Sequence, residues 1–111
     1  MGELMKVVKL SEVAPKPNPP APGVTVRKII DSEHALVTHM TMRPGESVTI
    51  HGTPVDVYLF ILEGEGKMQI GDEVQTIGKD MIVYSPANIP HRVMNPGSEN
   101  LIFLAIKVPR P

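Results

Sequence analysis

The chain has 111 residues, no cysteine and a net charge of −1 at pH 7, which suits one domain with one core and excludes disulfide bonds and thiolate metal sites. Its eleven basic and twelve acidic residues form no long run of either sign, so the sequence predicts no nucleic-acid partner. No apolar stretch reaches the length of a membrane span, and the first six residues lack a secretory signal pattern, so we expect no membrane partner and a cytoplasmic location.

The N-terminal 23 residues are predicted to tether the rest of the chain. Residues 5–10 are a candidate for a first strand, and five prolines follow between residues 15 and 22. Such a tract favours an extended, semi-rigid connector over a paired strand, because proline has no N–H to donate. We therefore expect residues 1–23 to form an N-terminal strand and a connector; the alternative for the tract is docking in an aromatic groove of another protein.

From residue 24 onward the apolar runs are short, rich in β-branched residues and bounded by turn residues. They predict nine strands, over residues 24–30, 35–42, 47–51, 55–62, 67–70, 73–77, 81–84, 91–94 and 101–108. Regular alternation of short strands and turns is typical of an all-β sandwich or barrel. Residues 24–111 are therefore predicted to form one β-barrel domain.

Two of these predicted strands, 55–62 and 101–108, are apolar on both faces. In the first, Val57 and Leu59 alternate with Tyr58 and Phe60. A single-layer barrel covers only its inner face, so the outer face needs a second sheet or a second subunit. This pattern predicts a homodimer.

Two histidines, His51 and His91, each lie in a strand marked by glycine and proline. The spacing around them matches two known motifs, at Gly45, His51 and Gly64 for the first and at Gly78, Pro86, His91 and Asn95 for the second. In these motifs the chain resembles the cupin superfamily over about residues 40–107. The resemblance implies an all-β fold, the cupin-type double-stranded β-helix or jelly-roll barrel. It implies no particular activity, since the superfamily spans enzymes, sensors and storage proteins.

The resemblance also implies a metal site, of which only a part is present. The family usually places three histidines and one glutamate around Mn, Fe, Ni, Cu or Zn. In this sequence the second histidine position holds Thr53 and the glutamate position holds Val57. His51 and His91 therefore remain as predicted metal ligands, and two imidazoles alone make a weak site. The alternative for this pair is two interior histidines that are satisfied by hydrogen bonds.

Two other residues are candidates for a third ligand. Asp56 is one residue from the family's glutamate position and turns inward if a bulge forms at Pro54. His39 turns inward if its face of the strand lines the interior. The opposite face carries Met40 and Met42, and we favour that face as the inner one because methionine is the better core residue.

The predicted ligand pocket contains Thr49, His51, Thr53, Val57 and His91. This mixture suits a small, partly apolar molecule with one polar or anionic end. The leading hypothesis is a small single-domain cupin that binds such a molecule without strong dependence on metal. The alternatives are an oxygenase- or isomerase-like enzyme with weakly bound Fe, Mn, Ni or Zn, and a structural or regulatory dimerisation module. The sequence does not assign catalytic residues.

Overall fold

A computed structural model describes residues 4–18, 21–50 and 52–111. In these ranges the chain forms one short 3-10 helix, Leu10–Glu12, and ten strands. The strands are β1 Lys16–Asn18, β2 Ala21–Asp31, β3 Leu36–Met42, β4 Ser47–Ile50, β5 Asp56–Glu63, β6 Glu65–Ile70, β7 Glu73–Gly78, β8 Ile82–Ser85, β9 His91–Met94 and β10 Leu101–Val108. None of the described residues form a helix that is long and apolar enough to cross a membrane.

The strands form two antiparallel sheets. The larger sheet has six strands in the order β1-β2-β3-β10-β5-β8, and the smaller has four in the order β4-β9-β6-β7. Strand β10 pairs with both β3 and β5, so the last strand of the chain lies in the middle of the larger sheet. The sheets face each other across one core, which is the all-β jelly-roll arrangement that the motifs imply.

Alternation along the strands decides which side chains enter the core. On β5 the burial pattern alternates strictly, with Val57, Leu59 and Ile61 inside. The other buried apolar side chains come from both sheets and include Val24, Met40, Met42, Val48, Met68, Ile77, Val93, Leu101, Phe103 and Ala105. The core is therefore aliphatic, with a single large aromatic ring.

The nine strands predicted from residue 24 onward correspond to β2–β10. Their ends differ from the prediction by at most three residues, the largest difference being the start of β2 at Ala21. The predicted strand 47–51 ends at His51, which lies outside the described residues. Local patterning placed these strands well because each apolar run is bounded by a turn.

The N-terminal region differs from the prediction in two ways. Residues 5–9 form no strand and lead into the 3-10 helix. The proline-rich tract contains a strand after all, because β1 pairs with β2 and β2 itself begins inside the tract. Proline is tolerated in β1 because this strand lies at the edge of its sheet. The division of the chain into residues 1–23 and 24–111 stays a prediction.

Candidate functional site

At one end of the barrel, cross-strand pairing aligns four residues on the larger sheet. Lys107 of β10 pairs with Leu36 of β3 and with Val57 of β5, and Val57 pairs with Ser85 of β8. Directly paired residues project from the same face of a sheet. Val57 and Ser85 are fully buried, so the row of four faces the interior.

On the smaller sheet, the same end of the barrel is marked by His91. This residue begins β9 and is 3% exposed. Its Nδ1 atom is 3.0 Å from the Ser85 hydroxyl oxygen, so a hydrogen bond joins the two sheets here. The imidazole is thereby held in one orientation, as a binding or catalytic histidine requires.

The other ring nitrogen of His91 has no hydrogen-bond partner among the described residues. Its Nε2 atom is buried and makes no hydrogen bond with any residue in the described part of the chain. Burial lowers the pKa of His91 below its usual value of 6.5; the nearby Ile89 carbonyl opposes this effect, and the charge of Lys107 adds to it. At neutral pH these effects favour a neutral imidazole with one ring nitrogen free for a ligand.

Lys107 is a site residue that the sequence analysis missed. It continues the inward face of β10 after Phe103 and Ala105, and it is half-buried. Burial lowers the pKa of its ammonium group. The alternation of β10 was sufficient to place Lys107 on the same face as Phe103, but the sequence does not say which face is the inner one.

Asp56 lies on the outer face, opposite Val57, at the start of β5. Its Oδ1 atom accepts a hydrogen bond of 2.9 Å from the backbone N–H of Ala87. Next to this contact, the N–H of Asn88 donates to the carbonyl of Thr53 at 2.7 Å. Asp56 and the half-buried Thr53 thus fix the turn that leads into β9. A metal-ligand role for Asp56 beside His91 has no support in this placement.

His39 also lies on an outer face, because Met40 and Met42 point into the core as we favoured. It pairs with Arg27 on one side and with Leu104 on the other. Its side chain is nevertheless buried, and its Nδ1 atom has no hydrogen-bond partner in the described ranges. Burial first, and then the charge of Arg27, lowers the pKa of His39. Because His39 and His91 lie on opposite sides of the larger sheet, the placement of His39 gives no support to its role as a third ligand there.

The predicted pocket residues are therefore divided between the two faces of the barrel. Val57 and His91 line the interior, whereas Thr49 is exposed because its neighbour Val48 points inward. Thr49 borders a shallow surface cavity of about 290 Å³ on the smaller sheet, which is also lined by Gln69, Arg92 and His91. His51 lies outside the described residues.

A larger cavity of about 410 Å³ opens between the two sheets where their edges, β7 and β8, are not paired. It is lined by Met68, Ile70, Glu73, Gln75, Ile77, Ile82, Val83, Tyr84 and Pro86. Ile70 is the cross-strand partner of His91, and Pro86 follows Ser85, so the cavity adjoins the His91 end of the barrel. A volume of this size accommodates a small organic molecule.

The described residues do not by themselves complete a metal site. Among residues 4–18, 21–50 and 52–111, no group of three or more His, Asp or Glu side chains could hold a metal ion. Of the described histidines, His91 is the one that offers an unpartnered imidazole nitrogen at this end of the barrel. A stable divalent site usually needs at least three protein ligands.

Comparison with known proteins shows which proteins share this architecture. The chain is 31% identical over 87 residues to an uncharacterized protein of Methanocaldococcus jannaschii, covering 78% of this chain and 75% of that protein. It is 28% identical over 86 residues to a tetracenomycin polyketide synthase protein of Streptomyces glaucescens, covering 74% of this chain and 58% of that protein. A crystal structure of a predicted oxalate decarboxylase of Thermotoga maritima superposes with a TM-score of 0.86 at 23% identity, covering 95% of this chain and 100% of that one, and at this identity it shows the fold alone.

The family comparison agrees with the fold and with the motifs. A crystal structure of an RmlC-like cupin family protein with a double-stranded β-helix fold, also from M. jannaschii, superposes with a TM-score of 0.79 at 27% identity, covering 97% of this chain and 94% of that one. The family model of the cupin domain matches residues 38–107, more than half of the chain. The protein therefore belongs to the cupin family.

Proposed function

We propose that the protein binds a small molecule inside the barrel, at the end marked by His91. The observation that carries this proposal is the state of the imidazole: Nδ1 is held by Ser85, and Nε2 is buried without a partner in the described part of the chain. An unsatisfied buried polar atom costs about 1–3 kcal/mol. Such atoms are rare in native proteins and call for an explanation, and a ligand that bonds to Nε2 supplies one.

The surroundings of His91 favour an organic ligand with apolar parts. The interior faces near it carry Val57 and Leu36, and the adjoining cavity is lined mainly by aliphatic side chains and one tyrosine. The similarity to a protein named for polyketide synthesis supports the same class of ligand. The polar group of the ligand then lies at the end of the barrel that holds His91.

A metal-dependent cupin enzyme is the second candidate. Its support is that His91 has the arrangement of a metal-binding imidazole, with one nitrogen oriented by a hydrogen bond and the other free. A bound divalent metal would supply Lewis-acid chemistry. His91 would be one of its ligands, with His51 as the second in the motif pattern.

Fluorescence titration with 8-anilinonaphthalene-1-sulfonate tests ligand binding, because this probe is an apolar molecule with one anionic end. We expect His91→Leu to weaken probe binding about tenfold, since it removes a hydrogen bond to a charged ligand group. The matched control is His34→Ala, because His34 is 85% exposed and its side chain points into solvent rather than into the barrel. Equal binding by the wild type and His91→Leu would contradict the proposal.

Metal analysis of the same untagged proteins decides between the two candidates. A wild-type protein that carries near-stoichiometric Fe, Mn, Ni or Zn, with the metal lost in His91→Leu and kept in His34→Ala, would make the enzyme the leading candidate. Wild-type protein that takes up none of these metals from an excess, and still binds the probe, supports the binding protein.

We also propose that a second copy of the chain covers the outer face of the larger sheet. This outer face carries Tyr58, Phe60, Leu62, Ile102, Leu104 and Ile106, and it continues onto β8 with Ile82 and Tyr84, which are 64% and 54% exposed. A contiguous apolar face of this kind is typical of an interface between subunits.

Light scattering is expected to give twice the chain mass of 12.1 kDa. Leu104→Asp, at the centre of the face, is expected to shift the protein to the monomer mass, and a wild-type monomer would refute the proposal.

A further inference from the structure

We propose that the ligand of the barrel is an organic anion, such as a carboxylate or sulfonate, and that Lys107 binds its charged group. This inference rests on the proposed binding function and names the chemical class of the ligand. Four features of the structure support it: the position of Lys107, the absence of a counterion beside it among the described residues, the position of His91, and the apolar surroundings.

Lys107 is directed inward by its strand. Phe103 and Ala105, which precede it on the same face of β10, are buried in the core. Its two cross-strand partners are Leu36 and the fully buried Val57. The lysine stem therefore packs against aliphatic side chains, and the ammonium group lies at the end of the barrel that also holds Ser85 and His91.

No acidic side chain in the described part of the chain forms an ion pair with this ammonium group. On the smaller sheet, strand pairing places Glu73 at the same end of the barrel. The Glu73 carboxylate accepts a hydrogen bond from the side-chain amide of Gln75. A half-buried charge without a counterion is costly. A bound anion provides the missing counterion.

Lys107 and His91 together form a recognition pair for one anionic group. They come from facing sheets, and the charge of Lys107 adds to the effect of burial, which is the main cause of the lowered pKa of His91. The ammonium group offers charge and three donors, and the free Nε2 of His91 offers one further polar contact. The apolar remainder of the ligand extends toward the cavity between β7 and β8, whose lining is largely aliphatic.

A pair of probes that differ in a single group tests this inference. One probe is 8-anilinonaphthalene-1-sulfonate, and the other is N-phenyl-1-naphthylamine, which has the same ring system without the sulfonate. At pH 7 we expect the wild-type protein to bind the sulfonate at least tenfold more tightly than the neutral probe. Lys107→Met keeps an unbranched apolar side chain one atom shorter than lysine and removes the charge, so it is expected to abolish this preference while the affinity for the neutral probe stays within about twofold.

Two further variants test whether the charge acts at this position. Lys107→Arg is expected to keep the preference for the sulfonate, because it keeps the positive charge. Lys79→Met, which removes an exposed charge in the turn before β8, is expected to leave both affinities unchanged. Loss of the preference in Lys79→Met as well would mean that the affinity for the sulfonate depends on the overall charge of the protein surface. This result would overturn the inference.

The outcomes separate this inference from the proposed function. Binding of both probes with equal affinity, or a sulfonate affinity that is the same in Lys107→Met as in the wild type, would overturn the anion site and leave a binding barrel. Binding of neither probe would refute both the proposed function and the anion site.

Discussion

Replacing Gly64 with alanine is expected to lower the free energy of unfolding by about 3 kcal/mol or more. Gly64 lies in the turn between β5 and β6 and has a φ angle of +85°. A Cβ atom there would overlap the carbonyl oxygen of Asn100 and lie 3.1 Å from the Cα atom of Leu101. Both obstacles are backbone atoms at the start of the central strand β10, so they cannot move aside without disturbing the larger sheet.

The same substitution at Gly45 is the matched control. Gly45 also has a φ angle of +85°, but a Cβ atom there meets nothing within 4 Å. Gly45→Ala is therefore expected to cost only the left-handed backbone penalty of about 1–2 kcal/mol. Urea denaturation followed by circular dichroism measures both variants. Equal losses at the two positions would mean that close approach of the backbone at Gly64 does not matter.

Replacing Asn95 with leucine is expected to lower the free energy of unfolding by about 3 kcal/mol or more, because it breaks three hydrogen bonds in a buried position. The Asn95 side chain is 1% exposed. Its Nδ2 atom donates to the carbonyls of Met42 at 3.0 Å and Glu99 at 2.8 Å, and its Oδ1 atom accepts from the N–H of Gly97 at 3.2 Å. Leucine has a similar volume but leaves these backbone groups without partners.

Asn100→Leu serves as the control for Asn95→Leu, because Asn100 is an exposed asparagine in the same connection between β9 and β10. Its cost is expected to stay within about 0.5 kcal/mol. Chemical denaturation again gives the free energies. A loss below about 1 kcal/mol for Asn95→Leu would show that water replaces the lost bonds, against the burial seen in the structure.

These two positions show what the motif residues do. Gly64 and Asn95 belong to the two motifs by which the sequence resembles the cupins, yet both act on the course of the backbone and not at the candidate site. Gly64 lets the backbone pass close to Asn100, and Asn95 ties the β9–β10 connection to the end of β3. Asn88, which lies between Pro86 and His91 of the second motif, has a φ angle of +66°, in the left-handed region that asparagine tolerates better than most residues.

The candidate site was less predictable than the fold. His91 was recognised from its motif, but Ser85 and Lys107 were not, although both lie on the inner face beside it. Conversely, Thr49 and Asp56 were proposed for the site and lie on outer faces. For Lys107 and Thr49, the sequence shows which neighbours share a face but not which face is the inner one; for Asp56, the inward position required a bulge at Pro54.

The proline-rich tract illustrates a second limit. Proline argues against pairing in the middle of a sheet, so the sequence predicts a connector there. The structure places β1 at the sheet edge, where a strand needs partners on one side only. Whether a strand is central or at an edge depends on the order of strands, which no local pattern contains.

The amino-acid sequence by itself determined the strand positions, the turns and the family, because short β-branched runs, turn glycines and motif spacing are local properties of the chain. Only the tertiary structure decided that Lys107, Ser85 and His91 meet at one end of the barrel. Their meeting depends on the register between β10, β5 and β8 and on the packing of one sheet against the other. Register and packing are set by contacts between residues far apart in the chain, and these contacts have no signature in the local sequence.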